Sequence, residues 1–434
     1  MKTIKINQFQ SYYDMDDQKG VIVDFLSATM IFIGKGGKEI NVIEKFIKEY
    51  EQAESQFNKR LSKIKNKNVE IVLIPSYNCN MNCIYCYEGG IKKAPYYFDK
   101  NNVNPLLRAI RTIMKNEKVK KLHFTLMGGE PIMKHNFDFC DPFFKQAKQE
   151  FGQFTILCIS NGLEITDHMD QLLDYGIDSF QITIDGNEKK HNERRKPNIN
   201  SINGFKKTSQ SIDHILAKGL NLEIRVNIDS ENLDSLPELS EYILKKGWLD
   251  KKCSIYLYPI SENGCNRDVC YLPETDILKK IIEALNSCPE HYQIYNLRFH
   301  GCSFIDALLQ NRLPIIHKYF CGANKNQYVF DPFGKVYTCW WGVSQEKYFK
   351  VGEIIGENYE INNIKVREWR NRNINTILKC VKCKFKYICG AGCSYKAISR
   401  TKSLYEPNCA DFDKIFKIYL QYKLKNKTKE NKRI

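Results

Sequence analysis

From residue 69 to residue 260 the chain alternates between two kinds of apolar pattern. Short, continuous, β-branched runs occur at "VEIVLIPS" (69–76), "KLHFTLMG" (121–128), "FTILCISN" (154–161), "SFQITIDG" (179–186), "NLEIRVNID" (221–229) and "CSIYLYPI" (253–260). Runs of that length and make-up predict buried strands. Between them lie "VNPLLRAIRTIMKN", "FDFCDPFFKQAKQEF", "ITDHMDQLLDYGI", "GFKKTSQSIDHILAKG" and "LPELSEYILKKG", whose apolar residues recur at helical spacing. Strands that are apolar throughout, separated by amphipathic helices, imply a parallel sheet covered by helices. Chemistry in such folds gathers at the carboxyl ends of strands. The segments found there are "YNCNMNCIYCYEGG" after the first strand, "GGEP" after the second, "SNG" after the third and "DG" after the fourth.

Residues 1–68 read as an α+β extension. Two strands are expected, in "TIKINQF" and "GVIVDFLSATMIFI". A helix should follow, because Ile43, Phe46, Ile47 and Tyr50 fall on one helical face. After residue 260 the pattern becomes irregular. Residues 261–320 read as a bridging region, residues 321–412 as a cysteine-rich domain, and residues 413–434 as a helix ending in the basic tail "KLKNKTKENKRI", expected to be frayed and solvated.

The net charge of +16 is spread along the chain. A general lysine bias explains it better than a nucleic-acid site, though a basic surface attracts acidic peptides. No apolar run is long enough to span a bilayer, and "MKTIKINQFQ" has no secretory h-region, so a cytoplasmic protein without a membrane partner is expected. Seventeen cysteines in such a chain point to metal or redox chemistry. Three of them, Cys79, Cys83 and Cys86, share one loop, and no fourth follows until Cys140. A four-cysteine zinc site therefore lacks a nearby ligand. Three thiols suggest a metal centre with one position left for something else.

The spacing Cys79-x3-Cys83-x2-Cys86, with aromatic Tyr85 before the last cysteine, resembles the radical S-adenosylmethionine (SAM) enzymes. The resemblance implies a partial (β/α)6 TIM-type barrel over residues 69–260. It also implies a [4Fe-4S] cluster whose fourth iron chelates SAM, and a 5′-deoxyadenosyl radical formed by reductive cleavage. A reducing donor such as flavodoxin or ferredoxin would be a partner. By the same resemblance Gly128, Gly129 and Glu130 of "MGGEP" meet the methionyl amino group. Ser160, Asn161, Thr183 and Asp185 face the ribose and methionine. In "HNERR" the cofactor contact is Arg195 rather than Arg194. Arg225 is a further cofactor contact or, alternatively, a strand residue paired inside the barrel. His191 reads as a loop histidine.

Seven more cysteines, Cys321-x12-Gly334-x4-Cys339, Cys380-x2-Cys383-x5-Cys389-x3-Cys393 and Cys409, are similar in full to the SPASM extension of peptide-modifying radical enzymes. That resemblance implies two auxiliary [4Fe-4S] clusters. Cys380, Cys383, Cys389 and Cys409 would hold one. Cys321, Cys339 and Cys393 would hold the other, with Cys302 as the expected fourth ligand. Cys140, Cys158 and Cys253 read as small buried residues, and Cys265, Cys270 and Cys288 carry no assignment.

In sulfatase-maturing relatives the residue after the Gly-x4-Cys cysteine is an aspartate base; here it is Trp340, which accepts no proton. Asp331 and Asp185 are the available substitutes. The expectation is therefore a radical SAM/SPASM maturase that joins residues of a ribosomal precursor peptide by a thioether or carbon–carbon bond. The N-terminal strands would hold its leader by strand addition. The alternatives are a formylglycine-forming sulfatase maturase, a non-catalytic iron–sulfur carrier and an RNA-modifying radical enzyme. Intact "GGEP" and "TIDG" disfavour the carrier, and the SPASM pattern disfavours RNA.

Overall fold

The computed structural model describes residues 3–5, 10–15, 19–25, 29–33, 68–91, 97–260, 272–310, 312, 314–409 and 411–430. The N-terminal pattern resolves into four short strands rather than two. These are β1 (Thr3–Lys5), β2 (Gln10–Met15), β3 (Lys19–Asp24) and β4 (Thr29–Ile33), an antiparallel meander. "GVIVDFLSATMIFI" turns back on itself after Asp24, so one apolar run yields a hairpin. The expected helix at Ile43–Tyr50 lies outside the described residues, as do Cys265 and Cys270.

The six apolar runs become β5 (Asn68–Leu73), β7 (Lys121–Leu126), β8 (Thr155–Ser160), β9 (Ser179–Thr183), β11 (Asn221–Ile228) and β12 (Cys253–Pro259). Each pairs in parallel with its neighbour in chain order. Two short strands, β6 (Met81–Cys83) and β10 (Arg195–Pro197), form a separate ribbon. Helices α1 (Val103–Glu117), α2 (Phe137–Phe151), α3 (Ile165–Tyr175), α4 (Glu188–Arg194), α5 (Gly204–Ala217) and α6 (Leu236–Lys246) run between the strands. Alternating strand and helix with parallel neighbours is the partial-barrel arrangement. Packing is dense: Phe124 of β7 meets Phe143, Phe144 and Phe154 edge-on at centroid separations of 5.8, 5.9 and 4.9 Å. Burying each such ring contributes about 1.5–3 kcal/mol.

The sheet does not end at residue 260. The edge strand β13 (Asn296–Leu297) adds to β12, and helices α7 (Glu274–Ser287) and α8 (Cys302–Leu309) flank it, so the bridging region is largely structured. On the other edge β14 (Gln327–Phe330) pairs in parallel with β5. Then β15 (Lys335–Tyr337), β16 (Lys350–Ile355) and β17 (Asn358–Ile361) extend it antiparallel. One eleven-stranded sheet thus joins the barrel to the cysteine-rich segment.

The C-terminal helix α9 (Phe412–Glu430) continues into the tail expected to be frayed. Leu424 is buried, and Lys423 Nζ lies 2.8 Å from Asp306. Leu420 and Leu424, four positions apart and both buried, hold down the start of the basic stretch. Phe416 of this helix also packs on Tyr13 and Phe25 of the N-terminal segment.

Candidate functional site

Cys79, Cys83 and Cys86 occupy the loop after β5 and line one cavity of about 430 Å³ on the inner face of the barrel. Burial raises the Cys79 thiol to about 12, with Glu130 and Cys83 adding to the shift. Two donors favour its thiolate: Met81 N–H at 3.4 Å and Asn161 Nδ2 at 3.8 Å from Sγ. The β6–β10 ribbon pairs Cys83 directly with Arg195, and Ile84 N–H donates to Arg194 O at 3.0 Å. Backbone pairing therefore brings a cation 112 positions along the chain to the cysteine loop.

The two neighbouring arginines do different work. "HNERR" is not a solvated loop: His191 and Arg194 are buried in α4, and Arg195 begins β10. Arg194 donates from Nη1 and Nη2 to both oxygens of Asp229, at 3.2 and 2.9 Å. Arg195 lines the cavity and donates to Tyr85 Oη at 2.8 Å. Its Nε is buried and meets no acceptor. Burial opposes its charge, but Cys83, Tyr85 and Asp185 outweigh that and hold it cationic. Tyr85 Oη donates to Asp185 and accepts from Asn227 Nδ2 at 3.2 Å. His191, desolvated and beside Arg195, is held well below its ordinary pKa. A neutral imidazole there accepts weakly from Asp185 N–H at 3.4 Å.

Glu130 and Asp185 are not among the cavity's lining residues. Glu130 accepts from Ser160 Oγ (2.8 Å), Asn161 N–H (2.7 Å) and Ile132 N–H (3.1 Å), and so ties two strand-end loops together. Its carboxylate is committed to these donors rather than to an incoming ammonium. Asp185 accepts from Asn227 N–H at 3.0 Å and orients Tyr85. Ser160, Asn161 and Thr183 do reach the cavity, as do Gly128 and Gly129. Both glycines have positive φ, +93° and +49°. A Cβ on Gly129 would strike the Asn78 carbonyl oxygen, and one on Gly128 the Ile74 side chain. Here glycine is required because the turn packs on the root of the cysteine loop.

Burial raises Glu130 from the ordinary 4.5 to about 7, against the donors that favour the anion. A carboxyl with a raised folded pKa holds more protons folded than unfolded. Its stabilising contribution is present below pH 4.5 and is lost as pH rises to about 7. The loss amounts to about 3 kcal/mol at about 1.4 kcal/mol per pKa unit. Glu130→Gln should flatten that part of the curve of thermal midpoint against pH; an unchanged slope would contradict this assignment.

Several cavity residues escaped the sequence reading. Glu88, two residues after Cys86, accepts from Gly129 N–H at 2.7 Å. Asn227 links Tyr85 to Arg225, whose Nε donates to Asn227 Oδ1 at 2.7 Å. Glu70, a single charge within an apolar strand, also lines the cavity, and burial raises its pKa. That isolated charge was the available signal. Trp340 and Trp341 arrive from the segment after β15, and Trp341 stacks on Tyr87 at 5.3 Å and 7°. Asp331 is not a lining residue. It accepts from Phe333 N–H (3.0 Å) and Lys335 N–H (2.9 Å) in a turn, and burial raises it to about 6.

The remaining motif cysteines fall into two groups by mutual influence. After burial, Cys393 and Cys321 are the main forces opposing ionisation of Cys339. Likewise Cys383, Cys380 and Cys409 oppose ionisation of Cys389, which lies at about 12. Thiolates around one zinc ion lie within about 4 Å of one another. Among the described residues, the only His, Cys, Asp or Glu trio with all ligand atoms within 4.8 Å is Cys288, Glu290 and His291. No three of the motif thiols converge that tightly, which fits multi-iron clusters better than single ions.

Cys302 departs from expectation. It opens α8, is fully buried, and after burial feels Asp306 and Glu274 most, with Lys423 opposing them. The residue before it, Gly301 (φ +83°), packs against Phe412 and Phe416 of α9. This aromatic packing fixes Cys302 under the C-terminal helix. Cys302→Ala is expected to leave iron content and the electron paramagnetic resonance spectrum unchanged. It should lower stability by about 1 kcal/mol, as loss of a small buried side chain does. A changed iron spectrum would restore Cys302 as a ligand. Cys140 and Cys158 are buried in the core.

The sequence model of the radical SAM superfamily matches residues 73–243. A cysteine-type anaerobic sulfatase-maturating enzyme of Clostridium novyi is 22% identical over 347 residues, covering 75% of this chain and 88% of that one. Among solved structures, native anSMEcpe with bound AdoMet superposes with a TM-score of 0.61 at 18% identity, over 82% of this chain and 97% of that one. Streptococcus suis SuiB bound to precursor peptide SuiA gives 0.51 at 14% identity, over 94% and 97%. Among the described residues no helix is long and apolar enough to cross a membrane. Together with the cysteine loop at the end of the first barrel strand, these matches show an enzyme that carries a radical SAM superfamily domain over residues 73–243.

Proposed function

We propose that this enzyme is a SPASM-type maturase that cross-links residues of a ribosomally made peptide. The observation that carries the reading is the joining of three features in one cavity wall. The loop of Cys79, Cys83 and Cys86 faces Trp340 and Trp341, and these directly follow Cys339 of the first auxiliary group. Cys79, Cys83 and Cys86 would hold a [4Fe-4S] cluster. The fit is supported by the buried, unpartnered Nε of Arg195 beside Cys83 and by the separation of the thiols. Such a cluster, when reduced, supplies the electron that converts SAM into a carbon radical. The protein's own part is positional. Arg195 and the Tyr85–Asp185–Asn227 hydrogen bonds fix the anion-facing wall, while Trp340, Trp341 and Tyr87 give the cavity an aromatic wall.

Two auxiliary [4Fe-4S] clusters in the cysteine groups at 321–409 would accept or return electrons, and flavodoxin or ferredoxin would supply them. The edge of β4, which pairs only with β3 among the described residues, offers a strand-addition site for a leader. SuiB bound to its precursor peptide supports a peptide substrate here.

The sulfatase-type reading draws on the Clostridium novyi relative, but the site position of its base is held by Trp340. The test uses anaerobically reconstituted enzyme, SAM and dithionite with two substrates. These are a sulfatase-derived cysteine peptide and any short peptide that sequencing finds encoded beside this gene. The expected result is loss of a pair of hydrogens from the second peptide, and 5′-deoxyadenosine without formylglycine from the first. Formylglycine detected by mass would replace the cross-linking proposal with the sulfatase one.

A further inference from the structure

Arg225 differs from Arg108, Arg111 and Arg194, the barrel arginines that pair with carboxylates. It projects from β11 into the cavity, half-buried, beside Gln181, Thr183 and Asn227. Its Nε donates to Asn227 Oδ1, and its guanidinium lies over the ring of Tyr258 at 4.2 Å. These two contacts fix its plane. No carboxylate lies within 4.0 Å of it among the described residues. By contrast Arg194 has Asp229, Arg298 has Glu223 and Arg370 has Glu117. A desolvated cation without a counter-ion is costly, and a planar guanidinium matches a carboxylate with two parallel hydrogen bonds. The other charged groups lining the cavity are Glu70, Glu88, Arg195 and the cysteine loop. Among the described residues, Arg225 pairs with none of them.

Position says which carboxylate. On one side Asn227 connects Arg225 to Tyr85 and hence to the cysteine loop. On the other, Tyr258 feels Cys393 and Cys321 as well as Arg225. Arg225 therefore sits between the loop that would hold the radical-generating cluster and the first auxiliary cysteine group. Arg195 already serves the cysteine-loop side. We propose that the free Nη atoms of Arg225 form a carboxylate subsite, and that its occupant is an acidic side chain of the peptide substrate. An anchor at this point would hold the adjoining residue between the two redox sites. This deepens the maturase reading and rests on it.

The test measures binding to the anaerobically reconstituted, SAM-loaded enzyme, by ligand-observed NMR. The probes are acetyl-Ala-Glu-Ala-amide and acetyl-Ala-Gln-Ala-amide. The wild type should favour the Glu probe by about ten-fold, the order of one charged hydrogen-bond pair. Arg225→Gln should abolish the preference and Arg225→Lys should retain part of it. A second arm titrates SAM and decarboxylated SAM against the same proteins. The ratio of their affinities should not change in Arg225→Gln. A preference for the Glu probe that survives Arg225→Gln overturns the subsite. A SAM to decarboxylated-SAM ratio that collapses in Arg225→Gln overturns the occupant, assigning the guanidinium to the cofactor's carboxylate. Failure of the maturase reading would show separately, as wild-type protein that reconstitutes without iron or cleaves no SAM.

Discussion

Alanine at Cys79, Cys83 and Cys86 together should abolish cleavage of SAM and remove about a third of the iron. With the two auxiliary clusters proposed above, three clusters of four irons would amount to about twelve irons per chain, so about eight should remain. The reasoning is spatial. These thiols line the barrel cavity, whereas the other seven motif cysteines fall into groups whose members influence one another. Loss of the first group should leave the others intact. Cys140 and Cys158 are buried in the core and cannot stand in for the missing ligands. Iron assay with chromatography of 5′-deoxyadenosine decides the matter. A protein that loses all iron together would show that the three sites assemble as one unit. Zinc in place of iron would end the radical reading.

What was legible in the sequence, and what was not, follows from the range of the interactions involved. Strands β5, β7, β8, β9, β11 and β12 are largely buried, so each needs a run of apolar residues, and that need is written locally. The continuation of the sheet was not legible. Strand β14 has four residues and β15 three; what places β14 is pairing with β5 more than 250 positions away, and β15 joins the sheet through β14. The cysteine loop could be read because a fixed spacing encodes a local turn. Glu130 illustrates the limit: the motif fixes its address, but its carboxylate is consumed by Ser160 and Asn161, which only the folded loops reveal. Cys302 illustrates the same limit from the other side. The resemblance implied a fourth ligand, and only the fold shows that Gly301 before it lies against Phe412 and Phe416.

The sharpest contrast available is between Arg194 and Arg195, adjacent in sequence and expected to fail in different ways. Arg194→Leu should destabilise the fold by about 3–5 kcal/mol, because it leaves Asp229 buried without the cation that meets both its oxygens. Its effect should appear in chemical denaturation. Arg195→Gln leaves the Arg194–Asp229 pair in place and keeps a donor within reach of Tyr85. Folding should therefore be little changed. The variant does remove the arginine that pairs by backbone with Cys83 and lines the cavity with its buried Nε unpartnered among the described residues. A hydrogen bond to a charged group contributes about 1.5–3 kcal/mol, so SAM affinity should fall by roughly ten- to a hundred-fold. Calorimetric titration of SAM into both reconstituted variants separates the two roles. Arg195→Gln with unchanged SAM affinity, or Arg194→Leu with weakened SAM binding and full stability, would reverse the assignment. Either result would mean that the cation facing the ligand is set by α4 rather than by the β6–β10 ribbon.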